Sequence, residues 1–430
     1  MSLLPALLAA LLALSVASVG QAAPPSSLAG TAVVCKMAAD CQHNGICTGA
    51  GACHCSPGWS GNACGTLAVA PAAPANGLRQ IYPNGSWASS WGGSILQDET
   101  TKAWHMFSAQ MVNDCGIGYW EPNSQVVHAT AAAAEGPYTF SDVVTAPFAH
   151  EPNAVRSPEG DWVIYMTMRH PPGGVANCTP PGAGEPLPPT AAAAAADPSS
   201  HGVLLPAPRH TYMTHSKSPG GPWSEPVLVL KANYSIWDNR SVLIDTNLAV
   251  TIDSKGAAIG IWRLCENIKG TVCEAACCTF PHLLTASNWK DPATYFPHSE
   301  RQIFKGIKPF GAEDPDLWTQ KDAASGKTIV KAILHDEQGA SRETAIGRFA
   351  FSDDSGVTWT YAQQDAYNGS VSWTDGSNTQ LWRRERPHMV VDANGAPLAI
   401  SNGVQECGDS GPCPTTNDRS WTLVQPIAQQ

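Results

Sequence analysis

The stretch EDPDLWTQKDAASGKTIVKAILHD, residues 313–336, contains the pattern that decides the fold. A polar motif with a proline opens a short apolar strand, a turn with glycine follows, and a second apolar strand returns. Four other units along the chain begin in a similar way. The five units open at Trp91-Gly92-Gly93-Ser94, His150-Glu151-Pro152-Asn153, Ile244-Asp245-Thr246-Asn247, Glu313-Asp314-Pro315-Asp316 and Glu385-Arg386-Pro387-His388. Five copies of one small β unit predict a repeat architecture.

Further strands follow each hairpin, so each unit is expected to hold four strands. Such units bury their faces against one another when arranged radially, which also protects their edges. We therefore predict an all-β fold, a five-bladed β-propeller over residues 77–430, with an insertion loop at 171–208. The fifth unit ends one strand short, and the segment around Gln80-Ile81-Tyr82 is expected to supply that strand and close the ring.

The composition agrees with a turn-rich β protein and limits the partners. Charged residues make up only 14% of the chain, which holds 15 Trp, 38 Gly and 35 Pro. The formal net charge is -11 at pH 7, so the chain has no electrostatic attraction to nucleic acid or to an anionic membrane.

The N-terminus predicts a secreted protein. Residues 1–22 read as a signal peptide, because an apolar run is followed by small residues that offer a cleavage site. The run lacks a basic start, so an uncleaved anchor that tethers the protein to a membrane is the alternative. Five N-x-S/T triplets suit a glycoprotein, at Asn84, Asn177, Asn233, Asn239 and Asn368.

A cluster of six cysteines lies within residues 31–65, at positions 35, 41, 47, 53, 55 and 64. The spacing resembles an EGF-like domain, and a zinc site is disfavoured because zinc ligands come in closer pairs. The resemblance implies the pairs Cys35–Cys47, Cys41–Cys53 and Cys55–Cys64. The module is expected to be a spacer or stabiliser, or to bind a protein or cell-surface partner, and residues 66–76 to form a linker. Outside it, we predict a Cys407–Cys413 bridge and a candidate Cys115–Cys178 pair.

In a propeller the innermost strands begin around a central channel, so their opening residues should form a ring there. The ring is predicted to hold Glu151, Asp245, Asp314, Glu313 and Asp316, opposite Arg386 and His388. Returning strands should add a polar rim of Arg169, Arg263, His335, Asp336 and Asn402. Trp91 is the indole expected to stack on a sugar.

The region from about 77 to 426 resembles the five-bladed glycoside hydrolases of family 43, on the motifs at 150–152, 244–247 and 313–318. The resemblance implies inverting hydrolysis by inner-strand carboxylates. Glu313 matches the acid, Asp314 is its rival, and Asp245 or Glu151 would tune or orient it.

The first unit departs from the family because Gly92 stands where the catalytic base belongs. Either the base has moved to Glu151, Asp314 or Asp245, or the domain has lost hydrolysis and retains sugar binding. The resemblance further suggests a structural calcium near His388, and we expect no required cofactor.

The sequence thus predicts a glycoside hydrolase acting on a polysaccharide or other glycan. A non-catalytic carbohydrate-binding or adhesion propeller is the alternative. A single Asp-box at Ser352–Trp359 gives weaker support to a sialidase.

Overall fold

The computed structural model describes residues 34–81, 87–169, 174–178, 209–231, 247–266, 278–304, 307–308, 311–322, 325–337, 346–406 and 418–429. Within these residues the fold is almost entirely β, and its one α-helix, α1, is the short segment Trp120–Asn123. Three short 3-10 helices lie at Ala38–Cys41, Ile117–Tyr119 and Pro292–Thr294. None of the described helices has the length and apolar character needed to cross a membrane.

The first six strands are short and precede the repeats. They are β1 (Gly45–Cys47), β2 (Cys53–Cys55), β3 (Trp59–Ser60), β4 (Thr66–Leu67), β5 (Gln80–Ile81) and β6 (Trp87–Ala88). Antiparallel pairs form between β1 and β2, β3 and β4, and β5 and β6.

Five antiparallel sheets follow, one for each predicted unit. The first two blades consist of β7 (Ser90–Gln97), β8 (Trp104–Met111), β9 (Ser124–Ala131) and β10 (Thr139–Thr145), then β11 (Ala149–Arg156), β12 (Trp162–Met168), β13 (His210–Ser216) and β14 (Val227–Leu230). The third and fourth consist of β15 (Ala249–Ile252), β16 (Ala258–Glu266), β17 (Cys278–Ala286) and β18 (Tyr295–Gln302), then β19 (Glu313–Lys321), β20 (Thr328–Asp336), β21 (Ile346–Ser352) and β22 (Thr360–Tyr367). A small hairpin of β23 (Ser370–Ser372) and β24 (Asn378–Gln380) precedes the three-stranded fifth blade, β25 (Arg383–Val391), β26 (Pro397–Gln405) and β27 (Trp421–Pro426). The five-bladed β-propeller is therefore confirmed.

The turns inside the blades have a shared chemical cause. Asp98, Asp253 and Asp392 each accept a hydrogen bond from the backbone N–H two residues further on. Such side-chain turns reverse the chain without help from distant residues. The hairpins that the sequence predicted are thus encoded locally.

Each innermost strand opens with one residue of positive φ. In the first, second, fourth and fifth blades this residue lies inside a β-bulge. The five residues are Gly92 (φ 62), Glu151 (φ 58), Asn247 (φ 62), Asp314 (φ 51) and Arg386 (φ 53). Side chains other than glycine rarely adopt this conformation, and where they do the strain is often kept for function. In the third unit the aligned residue is therefore Asn247, two positions after the predicted Asp245, which lies outside the described residues.

Closure of the ring differs from the prediction. Gln80 and Ile81 pair with β6, and Tyr82 lies outside the described residues. It is Leu78 that meets the fifth blade, through two backbone hydrogen bonds to Thr422 of β27. A single bridge replaces the expected strand because the chain turns away after Leu78 to form the β5–β6 hairpin.

The cysteine module, residues 35–64, contains the three disulfides that its resemblance implied. It packs on the outside of the fourth and fifth blades rather than standing apart. Trp59 lies against Phe349 with ring centroids 4.9 Å apart, and both belong to one buried cluster with Trp318 and Met389. The module and the propeller therefore share a hydrophobic core.

Polar contacts complete this interface. Lys331, buried in β20, donates from Nζ to the backbone oxygen of His43 at 3.0 Å and to Oδ1 of Asn44 at 2.5 Å. Nδ1 of His43 contacts Oδ2 of Asp322 at 2.8 Å. Because a buried ammonium is costly unless it is hydrogen-bonded, these contacts fix the position of the module.

The segment predicted as a linker, residues 66–76, is held against the fifth blade and the β23–β24 hairpin. Ala70 donates its backbone N–H to Pro426 at 2.8 Å, and Ala72 donates to Ser372 at 2.9 Å. A second predicted pair, Cys115–Cys178, is present as a disulfide, whereas Cys407 and Cys413 lie outside the described residues.

Candidate active site

A pocket lies where the inner strands begin, at one mouth of the central channel. The second, third, fourth and fifth blades each contribute polar or charged side chains to its lining, and the first blade contributes Trp91. Its described lining includes Glu151, Asn247, Arg263, Glu313, Asp314 and Glu385. Of the predicted ring, Glu151, Glu313 and Asp314 line this pocket, Asn247 lines it from the third blade, and Asp245 lies outside the described residues.

Asp314 is the centre of a network that joins three blades. Its Oδ1 accepts from Nη1 of Arg386 at 2.8 Å and from Nδ2 of Asn247 at 2.5 Å, and its Oδ2 accepts from the backbone of Arg386 at 3.1 Å. Burial raises the pKa of Asp314 to about 6, with the negative charges of Glu313 and Glu151 adding to the effect and Arg386 opposing it. Because its oxygens already accept three hydrogen bonds, Asp314 mainly holds the blades in place.

Glu151 lines the same pocket from the second blade. Its Oε2 accepts from Thr167 at 3.0 Å and from the backbone N–H of Asn247 at 2.9 Å, and its Oε1 lies 3.5 Å from Nη1 of Arg386. Glu151 and Asp314 therefore share the same guanidinium nitrogen. The arrangement places two carboxyl groups from different blades beside one buried cation.

Glu313 occupies the wall of the pocket between Arg263 and His335. Arg263 donates to Oε2 of Glu313, and Nδ1 of His335 contacts its Oε1 at 3.1 Å. Burial by itself would raise the pKa of Glu313, but these two partners hold it well below its usual range. This environment opposes the role of catalytic acid predicted for Glu313, because a carboxyl group with so low a pKa is ionised near neutral pH.

Glu337, at the end of β20, was missed by the sequence analysis. Its carboxyl group is hydrogen-bonded to that of Glu313, and the two form the Glu313–Glu337 pair. Desolvation of this carboxyl group, followed by the charge of Glu313, raises the pKa of Glu337 to about 8, although the residue as a whole is exposed. The pair therefore retains a proton to higher pH than a single glutamate would, and Glu337 is the member whose pKa is raised. The sequence did offer one signal for Glu337, because this residue directly follows the predicted rim residues His335 and Asp336.

His335 is positively charged at neutral pH. Burial would lower its pKa, but the hydrogen bond to Glu313 and the neighbouring carboxylates raise it to about 9. Arg263 and His335, both predicted as rim residues, thus act on Glu313 directly. The other rim predictions differ: Arg169 pairs with Glu121, Asp336 with Arg348, and Asn402 with Arg384.

Trp91 cannot serve as the predicted sugar platform, because both of its faces are covered. The guanidinium of Arg383 lies over one, 4.7 Å from the ring centroid. The backbone of Gly403 approaches so closely that an added Cβ would lie 2.4 Å from a ring carbon. Trp91 is accordingly buried and contributes only an edge to the pocket.

The place of a first-blade base is filled by a cation. A Cβ built on Gly92 would lie 2.4 Å from Cγ of Arg386, so the arginine side chain occupies the space beside this glycine. Arg386 was predicted to bind substrate, but it is buried beneath the pocket and contacts Asp314 and Glu151.

Two groups of described donor atoms in the channel contain residue types that can bind metal ions. Deeper in the channel, Nδ1 of His388 contacts Asp316 at 3.1 Å and Ser94 at 3.2 Å, and Asp316 also accepts from the backbone of Met389. Calcium takes six to eight oxygen ligands, several of which can be water, and the side chains here offer one carboxylate and one hydroxyl beside the imidazole. In the pocket, single donor atoms of four residues lie within 4.8 Å of one another, namely Glu313, Asp314, His335 and Glu385. Arginines already pair with these three carboxylates, so their charge is balanced without a metal.

The fold and the pocket define the chain as a five-bladed β-propeller protein with a carboxylate- and arginine-lined site at one mouth of its channel. No protein-family model and no curated protein matches it. Among solved structures it is similar to a family 117 glycoside hydrolase of the marine bacterium Zobellia galactanivorans, with 9% identity, a TM-score of 0.48, and coverage of 82% of this chain and 88% of that one.

Two further solved structures are similar to the same degree. An α-L-arabinofuranosidase from Lactobacillus brevis has 10% identity and a TM-score of 0.45, with 78% of this chain and 89% of that one covered. A thermostable family 43 glycoside hydrolase has 9% identity and a TM-score of 0.48, with 80% and 92% covered. At such identities the likeness is one of fold, and the activities named are those of these proteins.

Proposed function

We propose that this protein is a carbohydrate-active enzyme that hydrolyses glycosidic bonds of a polysaccharide or other glycan at the channel mouth. The observation that carries the proposal is the Glu313–Glu337 pair, which holds a proton at neutral pH beside a pocket that also contains Glu151. Hydrolysis of a glycosidic bond requires one protonated carboxyl group to assist the leaving oxygen and one ionised group to activate water or attack the sugar.

The roles follow from the contacts of each carboxyl group. Glu337 donates its proton to the glycosidic oxygen as the bond to the anomeric carbon breaks, and the charge left on the pair is balanced by Arg263 and His335. Glu313 and Glu337 are too close to each other to admit a water between them, so the base must come from elsewhere. Glu151 is the candidate because it lines the pocket from another blade, and it takes the proton of the attacking water.

Sugar binding without catalysis is the second candidate, and the surroundings of Gly92 favour it. The side chain of Arg386 fills the space where a first-blade carboxylate would stand. A pocket that has exchanged its base for a cation still offers hydrogen-bond donors and acceptors to a glycan.

We further propose secretion and N-glycosylation. The apolar N-terminal segment and the four described disulfides support an oxidising compartment outside the cytosol. The cysteine module shares a core with the propeller, which supports a stabilising role and leaves its outer face for a protein or cell-surface partner.

The test is hydrolysis of aryl α-arabinosides, aryl β-xylosides and natural polysaccharides by the full-length secreted protein. Glu337→Gln and Glu151→Gln should each lower the rate by about a hundredfold or more, because each removes a proton-transfer group. Glu225→Gln is the matched control, since this exposed glutamate lies before β14 at the outer edge of the second blade. No hydrolysis of any substrate, combined with measurable glycan binding, would replace the enzyme by the binding protein.

A further inference from the structure

The pocket offers a glycan two tryptophans whose faces are already covered. Trp91 is enclosed between Arg383 and Gly403. Trp120, of α1, lies against the imidazole of His150 with centroids 4.9 Å apart and beneath the guanidinium of Arg209 at 4.8 Å. Proteins commonly bind neutral sugars by stacking a face of the sugar ring on an exposed indole face, and neither of these indoles has an exposed face. A ligand that approaches these tryptophans meets an arginine first.

Among the described ion pairs of this pocket, Arg383 and Arg209 have the most exposed charged side chains. The side chain of Arg383 is 34% exposed and that of its partner Glu385 is 15% exposed. For Arg209 and its partner Glu121 the values are 30% and 26%. The guanidinium of Arg383 is therefore more accessible to a ligand than the carboxylate of its partner, whereas Arg209 and Glu121 are exposed to nearly the same extent.

Arg383 retains hydrogen-bonding capacity for a ligand. A guanidinium carries five N–H donors, and the described hydrogen bonds of Arg383 use three of them. Two go to Glu385 at 2.7 Å and one goes to Gln405 at 3.4 Å. The planar group is fixed by Glu385 and Trp91, so little conformational entropy is lost when it binds an oxyanion.

The location of these cations contrasts with the rest of the chain. The formal net charge is -11, and thirteen residues of the chain are arginine. Three of the thirteen line this one pocket, Arg209, Arg263 and Arg383, and Arg386 lies directly beneath it. The same pocket is lined by the carboxylates of Glu151, Glu313, Asp314 and Glu385, so an arginine here acts on an anion through direct hydrogen bonds rather than through a net positive charge.

We propose that the glycan bound here is acidic, and that Arg383, with Arg209 on the other side of the pocket, binds an anionic substituent of the sugar. A uronate carboxylate and a sulfate ester can each offer two negatively charged acceptor oxygens to one guanidinium, and the test distinguishes them. This inference rests on the proposed function in that it takes the ligand to be a glycan, and it names the class of glycan.

The experiment is titration of the full-length protein against matched pairs of polymers in low salt. One pair is polygalacturonate and its fully methyl-esterified form, and the other is a sulfated galactan and its desulfated form. The acidic member of at least one pair should bind about ten- to a hundredfold tighter than its neutral counterpart, and this preference should decrease as salt is raised. The pair that shows the preference identifies the substituent.

Variants assign the preference to a residue. Arg383→Gln should remove most of it, and Arg383→Lys, which retains the charge but not the planar fork, should retain part of it. Arg156→Gln is the matched control, because Arg156 also covers an indole, that of Trp162 at 4.2 Å, but lies at the opposite end of an inner strand. Unfolding temperatures of all variants check that they fold.

Equal affinity for acidic and neutral members, or an Arg383→Gln variant that binds like Arg156→Gln, overturns the inference. Hydrolysis of neutral glycans that is lost in Glu337→Gln would leave the proposed function standing while this inference fails. Absence of binding to every polymer tested would overturn this inference as well, and the hydrolysis assay would then decide the proposed function by itself.

Discussion

Replacing Trp59 by alanine tests whether the cysteine module is part of the propeller. Trp59 is 5% exposed, packs on Phe349 with centroids 4.9 Å apart, and lies 5.8 Å from Nζ of Lys331. Removing a buried tryptophan leaves a cavity and costs about 3–5 kcal/mol. Loss of the cation–π contact belongs to the same change and does not add a separate cost. We therefore expect the free energy of unfolding of the full chain to fall by about 4 kcal/mol.

The assay is denaturation of the full-length protein with its disulfides intact, followed by tryptophan fluorescence and by far-ultraviolet circular dichroism. The matched control is Ile46→Ala, since Ile46 belongs to the same module but is 46% exposed and should cost less than about 1 kcal/mol. If Trp59→Ala costs no more than Ile46→Ala, the module does not share a core with the blades, and the packing described for this interface is refuted.

Three further outcomes are expected. The rate of hydrolysis should decrease as pH rises through about 8, because Glu337 then loses the proton that its contact with Glu313 retains. The pH–rate profile measures this, and a rate that stays constant to pH 10 contradicts it. Gly92→Ala should lower the free energy of unfolding by about 1–3 kcal/mol, because φ of residue 92 is 62° and the new Cβ would contact Arg386. Denaturant unfolding measures this, and an unchanged midpoint concentration argues against that packing. Asn368 is exposed in an Asn-Gly-Ser triplet, so we expect it to carry an N-linked glycan when the protein is made in a eukaryotic secretion host. Peptide N-glycosidase should then increase the gel mobility of the parent protein, and Asn368→Gln should lack that change. A parent protein whose mobility does not change would contradict glycosylation at Asn368.

Much of the fold could be predicted because it is encoded by neighbours in the chain. Hairpin turns such as the one at Asp392 are closed by hydrogen bonds to residues two positions away, and the disulfide pairs of the module are those that its resemblance to an EGF-like domain implied. The ring of opening residues follows in turn, because five similar hairpins around a channel bring their first residues together.

The site was less predictable because its chemistry depends on residues far apart in sequence. Glu313 is ionised because Arg263, from the third blade, and His335 lie against it, and Glu337 completes the pair. Nothing in the order of residues shows which carboxyl group retains the proton, since that depends on burial and on charges from other blades.

The sequence by itself determined the repeat and the blade count, because these arise from short-range patterns, and its resemblance to an EGF-like domain implied the disulfide pairs of the cysteine module. Only the tertiary structure decided that Asn247 takes the ring position, that Trp91 is covered by Arg383, and that Arg386 fills the space beside Gly92. The reason is physical: hydrogen bonding in turns acts over a few residues, whereas packing and electrostatic effects depend on distances that exist only once the blades have assembled.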